Sequence, residues 1–471
     1  MAHQDQEYGD SASHASDLHE VLDWLTSGLS ASVLGLRAAC TWRPKTLTFA
    51  ALLWAWSDEK TLLERFVVAR KIIIDRSVGQ RQPAGSYQAF VKLLRRWTAP
   101  LRQMLSDAFR QRMTQSLASV WSVEGWPVFA VDGSKVAVPR TRNNEACYSP
   151  QSKLSRAAQR GSCRARRRWS PQAARQRKAN VPRIWLTMLW HVGSGLPWDW
   201  RTGPADSSER QHLEEMLAVM PTGALLAADA GFVGYDLWNK VLASGHQLLV
   251  RVGSNVKLLK KLGYVRESNG MVYLWPDRQA KQLLPPLVLR MAVVFHQQRG
   301  PVYLLTSLLK PAELSDRQLA AVYRRRWGIE VYYRHCKHTF ERGKLRSHRP
   351  DHAMLELHWS LLGMWAMGLH AHTRLVDHGV PPQRISFAGV WRAHRRAMRE
   401  YKSRPDPGER LGDLIDQAII DPYPRRRKNS RHYPRQKREQ LAGPPRVVLA
   451  TRTQVHLAQQ IKLAQRKRLT A

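Results

Sequence analysis

Apolar residues recur at helical spacing through the first quarter of the chain. The segments DEKTLLERFVVARKIII and SYQAFVKLLRRWTAPLRQMLSDAFRQRM carry apolar positions three and four residues apart, which predicts two amphipathic helices. Pro100 lies within the second pattern, so we expect it to kink or divide that helix. We therefore predict an all-helical domain over residues 1–118. Basic side chains along the second helix are typical of DNA binding, although an ordinary solvated helix face gives the same pattern.

From residue 126 the pattern changes to short, continuous apolar runs. WPVFAVDGSKVAVP predicts a buried strand ending at Asp132, and RIWLTMLWHVGSGLPWDW predicts two more strands. SSERQHLEEML predicts a helix capped by Ser207 or Ser208. TGALLAADAGFVGYDLWNKVLASG then predicts a strand ending at Asp229 and a following helix. Strands followed by helices indicate a mixed α/β core.

Between residues 245 and 308 the pattern predicts short antiparallel strands, which we interpret as an inserted β-rich subdomain. A Trp-rich apolar helix, LELHWSLLGMWAMGLHAHTRLV, follows and should pack on the core. The predicted division is a helical N-terminal domain (1–118), a first part of the catalytic core with a basic loop at 150–180 (119–244), the β-rich insertion (245–308), a second part of the core (309–400) and a basic C-terminal tail (401–471).

Charge is the compositional feature that narrows the class of partner. The 471 residues include 75 Lys and Arg against 37 Asp and Glu, a net charge of +38, and a field of that sign concentrates nucleic acid at the surface. Two runs, residues 153–178 and 424–438, are strongly basic and contain no acid. Such runs are typical of segments that are disordered when free and bind phosphates without reading sequence.

The remaining composition points to a globular protein of the cytoplasm. Hydrophobic residues make up 43% of the chain and 18 residues are Trp, which is ample for a large core. The longest apolar run, near LTFAALLWAW, is about half of a membrane span, so we expect no membrane partner. The polar N-terminus has no secretory h-region, and the four cysteines include no C-x-x-C pair, as in a reducing compartment. We expect a cytoplasmic, nucleoid-associated bacterial protein.

One segment, AVYRRRWGIEVYYRHCK, concentrates the candidate chemistry. Tyr323, Arg326, Glu330 and Lys337 stand at offsets 0, +3, +7 and +14, which on a continuous helix fall within about 60° of one another. A stripe with a carboxylate among cations is a poor core face and a good working surface. The alternative is a solvated face with ordinary ion pairs, such as Arg326 with Glu330.

Three acids complete a hypothesis about the reaction. Asp132 and Asp229 each end an apolar run, and Glu330 faces out of a helix. Carboxylates converging from two strands and a helix can hold two divalent cations about 3.5–4 Å apart for in-line displacement at phosphorus, and oxygen ligands favour Mg²⁺ or Mn²⁺. Alone, each Asp also fits an ordinary turn or cap.

Together these motifs resemble a known family. The spacing of Tyr323, Arg326, Glu330 and Lys337 matches the Y-R-E-K signature of the DDE transposases of the insertion sequence four family. VDGSKV resembles the segment of the family's first aspartate, and AADAGFVGYD resembles that of the second. The β-rich stretch between Asp229 and Glu330 resembles the family's insertion. The resemblance covers residues 125 to about 375 well, the N-terminal region loosely and the C-terminal tail hardly at all.

The resemblance implies an RNase H-like catalytic core in which Asp132, Asp229 and Glu330 bind two Mg²⁺ or Mn²⁺ ions. It implies cut-and-paste movement of DNA: nicking at the element end, 3′-OH attack that makes a hairpin, reopening by water, and strand transfer. It also implies that double-stranded DNA is the partner, as terminal inverted repeats and target, and that a homodimer synapses two ends.

Other residues receive DNA-binding roles from the same resemblance. Tyr323, Arg326 and Lys337 are expected to contact phosphates near the transposon end. The family holds a flipped base on an aromatic of its insertion, for which Tyr303 is the candidate and Trp275 the second choice. Tyr303 stands about one residue from the expected position, and either aromatic could be core. Weaker candidates at the predicted edges of the site are Ser134, Lys135, Arg210 and Arg251.

Three alternatives stay open on the sequence alone. A metal-dependent nuclease would use the same core and acids without strand transfer. An inactive DNA-binding relic of a mobile element would keep only the basic surface, although all three acids are present. An RNA-binding protein would be expected to carry a stacking signature, such as an aromatic strand, which the sequence lacks.

Overall fold

The computed structural model describes residues 16–27, 40–76, 82–150, 181–296, 300–420 and 443–470. The helices are α1 Leu18–Thr26, α2 Pro44–Trp56, α3 Leu62–Arg76, α4 Tyr87–Ser116, α5 Arg142–Tyr148, α6 Glu209–Met216, α7 Tyr235–Ala243, α8 Asp277–Lys281, α9 Asp316–Arg325, α10 Gly328–Arg334, α11 Pro350–Asp377, α12 Phe387–Arg399, α13 Leu411–Asp416 and α14 Arg452–Thr470. The strands are β1 Val128–Ala137, β2 Arg183–His191, β3 Leu196–Gly203, β4 Leu225–Ala228, β5 Gln247–Val252, β6 Lys257–Lys260, β7 Met271–Leu274, β8 Leu287–His296, β9 Gly300–Thr306 and β10 Arg446–Leu449.

The N-terminal region is helical, as its periodicity predicts, and it packs directly on the rest of the chain. Helix α2 is buried along nearly its whole length, as an all-round apolar helix requires. The indole N–H of Trp359 on α11 donates to Thr98 Oγ1 on α4 at 2.8 Å, and that of Trp56 on α2 donates to the Gly363 carbonyl on α11 at 2.9 Å. Helix α4 runs through Pro100 as one helix, so Pro100 does not divide it; of the two predicted outcomes, a kink or a division, the division is wrong.

A single ten-stranded sheet forms the centre of the molecule, in the order β10-β6-β7-β8-β9-β5-β4-β1-β2-β3. Strands β1, β2 and β3 are antiparallel neighbours, whereas β4 pairs parallel with β1 and β5 pairs parallel with β4. The central strands are apolar on both faces because helices cover both sides, which is what continuous apolar runs predict. The mixed α/β core is therefore confirmed.

The β-rich insertion differs from the prediction in how it joins the core. Strand β5, expected as the first strand of a separate subdomain, lies beside β4 in the core sheet. Strand β9 then pairs antiparallel with β5, so β6 to β9 extend the core sheet rather than form a second one. An apolar strand sequence such as QLLVRV specifies burial but not which neighbour it pairs with, which is why the sequence did not place it.

The C-terminal region is more than the basic tail predicted for residues 401–471. Helix α13 packs on α11 and α12, and strand β10 pairs parallel with β6 at the edge of the sheet. On helix α14, Ala458 and Ile461 are buried. The two basic runs, 153–178 within the predicted loop 150–180 and 424–438 within the tail, lie outside the described residues.

Helix α11 is the Trp-rich helix that the sequence predicts to pack on the core, and this prediction is confirmed. Most of its 28 residues are buried, among them Trp359 and Trp365. In the described part of the chain, no helix combines the length and the apolar character needed to cross a membrane.

Candidate active site

Asp132 and Asp229 occupy equivalent positions on two neighbouring parallel strands. The pairing of β1 with β4 runs from Val128 opposite Leu225 to Ala130 opposite Ala227. Two residues beyond this last pair, each of the two segments carries an aspartate. Side chains at equivalent positions of neighbouring strands project from the same face. Asp229 is held in extended conformation just after β4, where its Oδ1 accepts a hydrogen bond of 2.8 Å from the Gly231 N–H.

The position of Asp132 within its strand differs from the prediction. Strand β1 does not end at Asp132 but continues to Ala137, paired with β2 throughout. What ends there is the pairing with β4, whose last residue is Ala228. Beyond Ala130, no strand of the described residues pairs with this edge of β1 until an isolated bridge between Ala137 and Lys344, and Asp132 lies in this unpaired stretch.

Arg251 continues the same row on the next strand. Ala227 of β4 pairs with Leu249 of β5, so Asp229 and Arg251 are again equivalent positions on one face. The charge of Arg251 affects the pKa of the Tyr323 hydroxyl. Burial raises that pKa, and the positive charges of Arg326 and Arg251 partly oppose the rise. A phenol with a raised pKa stays protonated at neutral pH and can donate a hydrogen bond.

The segment that carries the Y-R-E-K residues is not one continuous helix, so that prediction is wrong. Helix α9 ends at Arg325, helix α10 begins at Gly328, and a π-helical turn follows at His335–Thr339. Gly328 lies so close to the indole of Trp190 that an added β-carbon would come within 2.0 Å of the ring. Gly328 therefore packs closely on the sheet at the start of α10, a tertiary contact that a stripe drawn on an ideal helix cannot anticipate.

Arg326 lies at this break and is paired with Glu330. Its Nη2 donates to Glu330 Oε1 at 3.0 Å. This is the ion pair expected if the segment were an ordinary solvated helix face. The guanidinium is almost fully buried, and its Nε and Nη1 make no hydrogen bond of good geometry with the described residues. It also lies 5.4 Å from the ring centroid of Tyr323 and 5.7 Å from that of Trp327. A buried cation with unused donors suits an anionic ligand.

Two further contacts fix this segment onto β1. The hydroxyl of Tyr333 donates to the Asp132 carbonyl at 2.8 Å, and Lys337 Nζ donates to Ser134 Oγ at 2.6 Å. Asp132 and Ser134 project from the same face of β1, since they are two residues apart. Glu330 and Lys337 are therefore both anchored on the face of the sheet that carries the aspartates.

The acids influence one another electrostatically. The pKa of Asp132 is raised from 3.8 to about 6, mainly by burial; the Gly133 N–H and Arg326 oppose the rise, and Asp229 and Glu330 add to it. Burial alone would lower the pKa of Arg326, but Tyr323, Glu330 and the two aspartates raise it above its ordinary value. Carboxylates that repel one another in a partly dry site favour a bound cation.

Glu209, a residue that the sequence analysis missed, belongs to the same cluster. It is the first residue of α6, and its side chain lies against β1 at Gly133, where an added β-carbon would be 2.5 Å from Oε1. The pKa of Glu209 is raised to about 7, first by burial and then by the charges of Asp132 and Asp229, while Lys135 and Arg210 oppose the rise. No spacing in SSERQH distinguishes this Glu from any first-turn Glu.

The donor chemistry fits a hard divalent cation, because carboxylate oxygens are the ligands that Mg²⁺ and Mn²⁺ prefer. Among the described residues, however, no three His, Cys, Asp or Glu side chains are close enough together to hold one ion jointly. Glu330 is held by its ion pair with Arg326. The three acids lie in one region of the structure, but their carboxylates do not converge on a common point.

The remaining candidates lie at the edges of this region. Arg210 is exposed, and its Nε donates to the Gly231 carbonyl at 2.9 Å, beside Asp229. Lys135 projects from the other face of β1, where its Nζ lies 4.5 Å from the ring centroid of Trp185. Trp275 is only 3% exposed and donates to the Leu284 carbonyl, so it is core.

Tyr303 does not face the acids. It pairs with Val252 of β5 and Val293 of β8, one position away from the row formed by Asp132, Asp229 and Arg251. Neighbouring residues of a strand face opposite sides of the sheet, so Tyr303 projects away from the aspartates. An aromatic that does lie at the site is Trp327, which is 54% exposed beside Arg326.

Comparison with known proteins decides the family. The family model described as "Transposase DDE domain" matches residues 125–365, the part of the chain that carries all three acids. The chain belongs to the DDE transposase family. It is a DNA transposase, an enzyme that cleaves and transfers DNA, and the DDE transposases generally use divalent metal ions.

A transposase of an insertion sequence agrees with this assignment. The chain is 24% identical over 357 residues to the transposase InsG for insertion sequence element IS4 of Escherichia coli (strain K12), which spans 71% of this chain and 74% of that protein. Among solved structures, the chain is similar to the cryo-EM structure of the piggyBac transposase synaptic complex with hairpin DNA. It is 13% identical, covers 89% of this chain and 87% of that one, and has a TM-score of 0.39. The match to an insertion-sequence transposase confirms the family that the Y-R-E-K spacing predicts.

Proposed function

We propose that this transposase moves DNA by cut-and-paste, with Asp132, Asp229 and Glu330 holding two divalent cations, Mg²⁺ or Mn²⁺. The observation that carries the proposal is the parallel register of β1 and β4, which sets Asp132 and Asp229 side by side at the point where β4 ends. The contacts of Tyr333 and Lys337 with β1 support the placement of Glu330 over the same point.

The core is proposed to be RNase H-like. Supporting this are three antiparallel strands in the order β3-β2-β1, followed by β4 and β5 parallel to β1, with helices on both faces. The helical region 1–118 and the insertion 245–308 are then additions to a core made of residues 119–244 and 309–400. The aspartates come from the two central strands of that core.

The proposed reaction is a series of hydrolysis and transesterification steps at phosphorus. Water first cleaves one phosphodiester at the element end and leaves a 3′-OH. That hydroxyl attacks the opposite strand, so one phosphodiester forms as another breaks and a hairpin closes on the element. A second water reopens the hairpin, and the 3′-OH then attacks target DNA. The cations would activate the attacking oxygen and stabilise the leaving oxygen.

The side chains around the acids are proposed to hold the DNA. Arg326 has two buried donors, Nε and Nη1, that make no hydrogen bond of good geometry with the described residues, and Tyr323 stays protonated and can donate. Lys337 supplies a point charge beside Ser134, which lies two positions along β1 from Asp132. Arg210, tied to the loop after Asp229, would contact phosphate at the other side of the site. These groups bind the backbone and position it without reading sequence.

Double-stranded DNA is the proposed substrate, both as terminal inverted repeats and as target, and a homodimer is proposed to bring two ends together. The net charge of +38 supports strong, salt-dependent attraction to DNA.

The test is a cleavage assay on DNA that carries the inverted repeats flanking the gene, with Mg²⁺ or Mn²⁺. Wild type should release the element through a hairpin, and Glu330→Gln should bind the ends but not cut them. Glu400→Gln, which removes an exposed carboxylate paired with Arg396, is the matched control and should cut normally. Cutting without a hairpin would refute the cut-and-paste proposal in favour of a nuclease, and binding without cutting by wild type would favour an inactive relic.

A further inference from the structure

The corner of the sheet where β1 ends carries three exposed cations on the face opposite to the acids. Lys135 lies three residues past Asp132 on β1 and projects from the other face, because successive side chains of a strand alternate. Ala137, on the same face as Lys135, pairs with Arg183 of β2 on one side and with Lys344 on the other. Side chains at paired positions share a face. We call this group the corner cluster: Lys135, Arg183 and Lys344.

The corner cluster holds positive charge that no ion pair uses. All three side chains are exposed, and none makes an ion pair or a hydrogen bond with another described residue. Lys135 instead contacts an aromatic ring, its Nζ lying 4.5 Å from the ring centroid of Trp185. The charge of Lys135 opposes the rise in the pKa of Glu209, but the two form no ion pair.

The chain before the cluster cannot neutralise it either. The basic run 153–178, which precedes β2 in the sequence, contains no acid. Like charges that gather at a surface without a counter-charge favour a polyanion, whose phosphates they can neutralise with release of counterions. The corner cluster is therefore a candidate surface for a DNA backbone.

A duplex bound at the acids cannot use this surface at the same time. Asp132 and Ala137 are five residues apart on β1, which is about 17 Å at the rise of a β-strand. Lys337, proposed to hold the element end, donates to Ser134 on the acid-bearing face. A straight duplex against that face has the sheet between itself and the corner cluster. The cluster is thus placed for a second duplex.

Strand transfer is the step of the proposed reaction that brings a second duplex to one set of acids. Nicking, hairpin formation and reopening act on the element end and on the flank continuous with it. In strand transfer a phosphate of the target meets the 3′-OH of the element at the acids. Lys344 lies at the end of the stretch of β1 that no described strand pairs with, and Asp132 lies within that stretch. This edge connects the acids with the corner cluster.

We propose that the corner cluster binds the phosphate backbone of target DNA during strand transfer. This inference rests on the proposed function, because it assumes that the acids join the element to a second duplex. It adds a DNA-binding surface on the face of the sheet that lacks the acids. Lys and Arg contacts to phosphate hold a duplex without reading its sequence.

The test measures joining of pre-cut element ends, which carry a free 3′-OH, to a plasmid of unrelated sequence at increasing plasmid concentration. Arg183→Gln/Lys344→Gln should raise the plasmid concentration for half-maximal joining about tenfold, and should lower its salt slope by about 0.9 for each lost phosphate contact. The maximal joining rate and the cleavage of end DNA should match wild type. Lys135 stays in place because its charge acts on Glu209, near the acids.

Two control variants separate local charge from net charge and from folding. Arg140→Gln/Lys240→Gln removes two exposed cations that are already paired with acids, and it should join plasmid as wild type does. Arg183→Lys/Lys344→Arg keeps both charges of the cluster and should also behave as wild type. Urea unfolding of each variant establishes that it is folded.

The outcomes distinguish this inference from the proposed function. Half-maximal joining by Arg183→Gln/Lys344→Gln at the wild-type plasmid concentration would refute the role of the cluster and leave the proposed function in place. An equal loss of end cleavage would assign the cluster to the element end and overturn the proposal. If wild type cuts ends but joins none to plasmid, cut-and-paste movement is refuted and this inference with it. If the double variant is unfolded, Arg183→Gln and Lys344→Gln singly decide by the same comparison.

Discussion

Lys337 donates a 2.6 Å hydrogen bond to Ser134 Oγ and so joins the π-helical turn after Glu330 to the strand that carries Asp132. Ser134 and Asp132 lie on the same face of β1. The ammonium group is therefore held one pleat away from the first aspartate, where a phosphate bound at the acids would be within its reach. Its position is defined by the protein before DNA binds, which lowers the entropy lost when the complex forms.

Replacing Lys337 by Ala should weaken binding to transposon-end DNA and lower its dependence on salt. Removing one phosphate contact reduces the slope of log K against log salt by about 0.9. Titrations of end DNA between low and moderate salt measure this slope. Lys402→Ala is the control, because that lysine is paired with Asp406 and Glu409 and its loss should leave the slope unchanged. Equal slopes for wild type and Lys337→Ala would remove Lys337 from the DNA interface.

Asp132→Asn should abolish cleavage and at the same time stabilise the metal-free protein at pH 8. The folded-state pKa is raised from 3.8 to about 6, so the folded protein binds more protons between these values and its free energy of unfolding falls as pH rises through them. At pH 8 the charged carboxylate costs about 3 kcal/mol, which the neutral amide relieves.

Urea unfolding at pH 8 and at pH 4 without divalent ions measures this effect. The gain in stability of Asp132→Asn should be present at pH 8 and mostly absent at pH 4, where wild-type Asp132 is itself protonated in the fold. Asp406→Asn, at an exposed position, should show no such gain. A destabilised Asp132→Asn at pH 8 would contradict the account of this site.

The sequence was sufficient for the class of fold and for the apolar runs that precede Asp132 and Asp229, because both depend on local patterns. Apolar runs ending near Asp132 and Asp229 predict buried strands, and parallel neighbours in a mixed core bring such residues together. What the sequence could not supply depends on tertiary contacts: the placement of β5 beside β4, the helix break at Gly328 against Trp190, and the approach of Glu209 to Gly133. Each is a contact between segments tens of residues or more apart, and no local periodicity encodes it.

Trp327, rather than Tyr303, is the aromatic expected to stack on an unpaired base at the site. Trp327 is exposed beside Arg326, whereas Tyr303 projects from the opposite face of the sheet. Stacking on an aromatic contributes about 1–3 kcal/mol per base. Trp327→Ala should therefore reduce the fluorescence change of a 2-aminopurine placed at the cleavage position, and Tyr303→Leu should not. The reverse result would return the role to Tyr303.

Gly328→Ala should disable the enzyme by moving Glu330, although residue 328 has no chemistry of its own. The new β-carbon would lie 2.0 Å from Cη2 of Trp190, so α10 must shift or the indole must leave its place, at a cost of about 1–3 kcal/mol. Because α10 carries Glu330 and Tyr333, the same shift should reduce cleavage. Gly85→Ala is the control, since a β-carbon there meets only ordinary contacts with the Arg70 side chain.

The double variant Gly328→Ala/Trp190→Leu tests the cause directly. Trp190→Leu removes the ring that the new methyl group would strike, so stability and cleavage should recover in part relative to Gly328→Ala alone. Urea unfolding and end cleavage of wild type, both single variants and the double variant give the coupling energy between the two positions. A coupling energy near zero would mean that Gly328 is required for another reason, and the contact with Trp190 would not explain the break between α9 and α10.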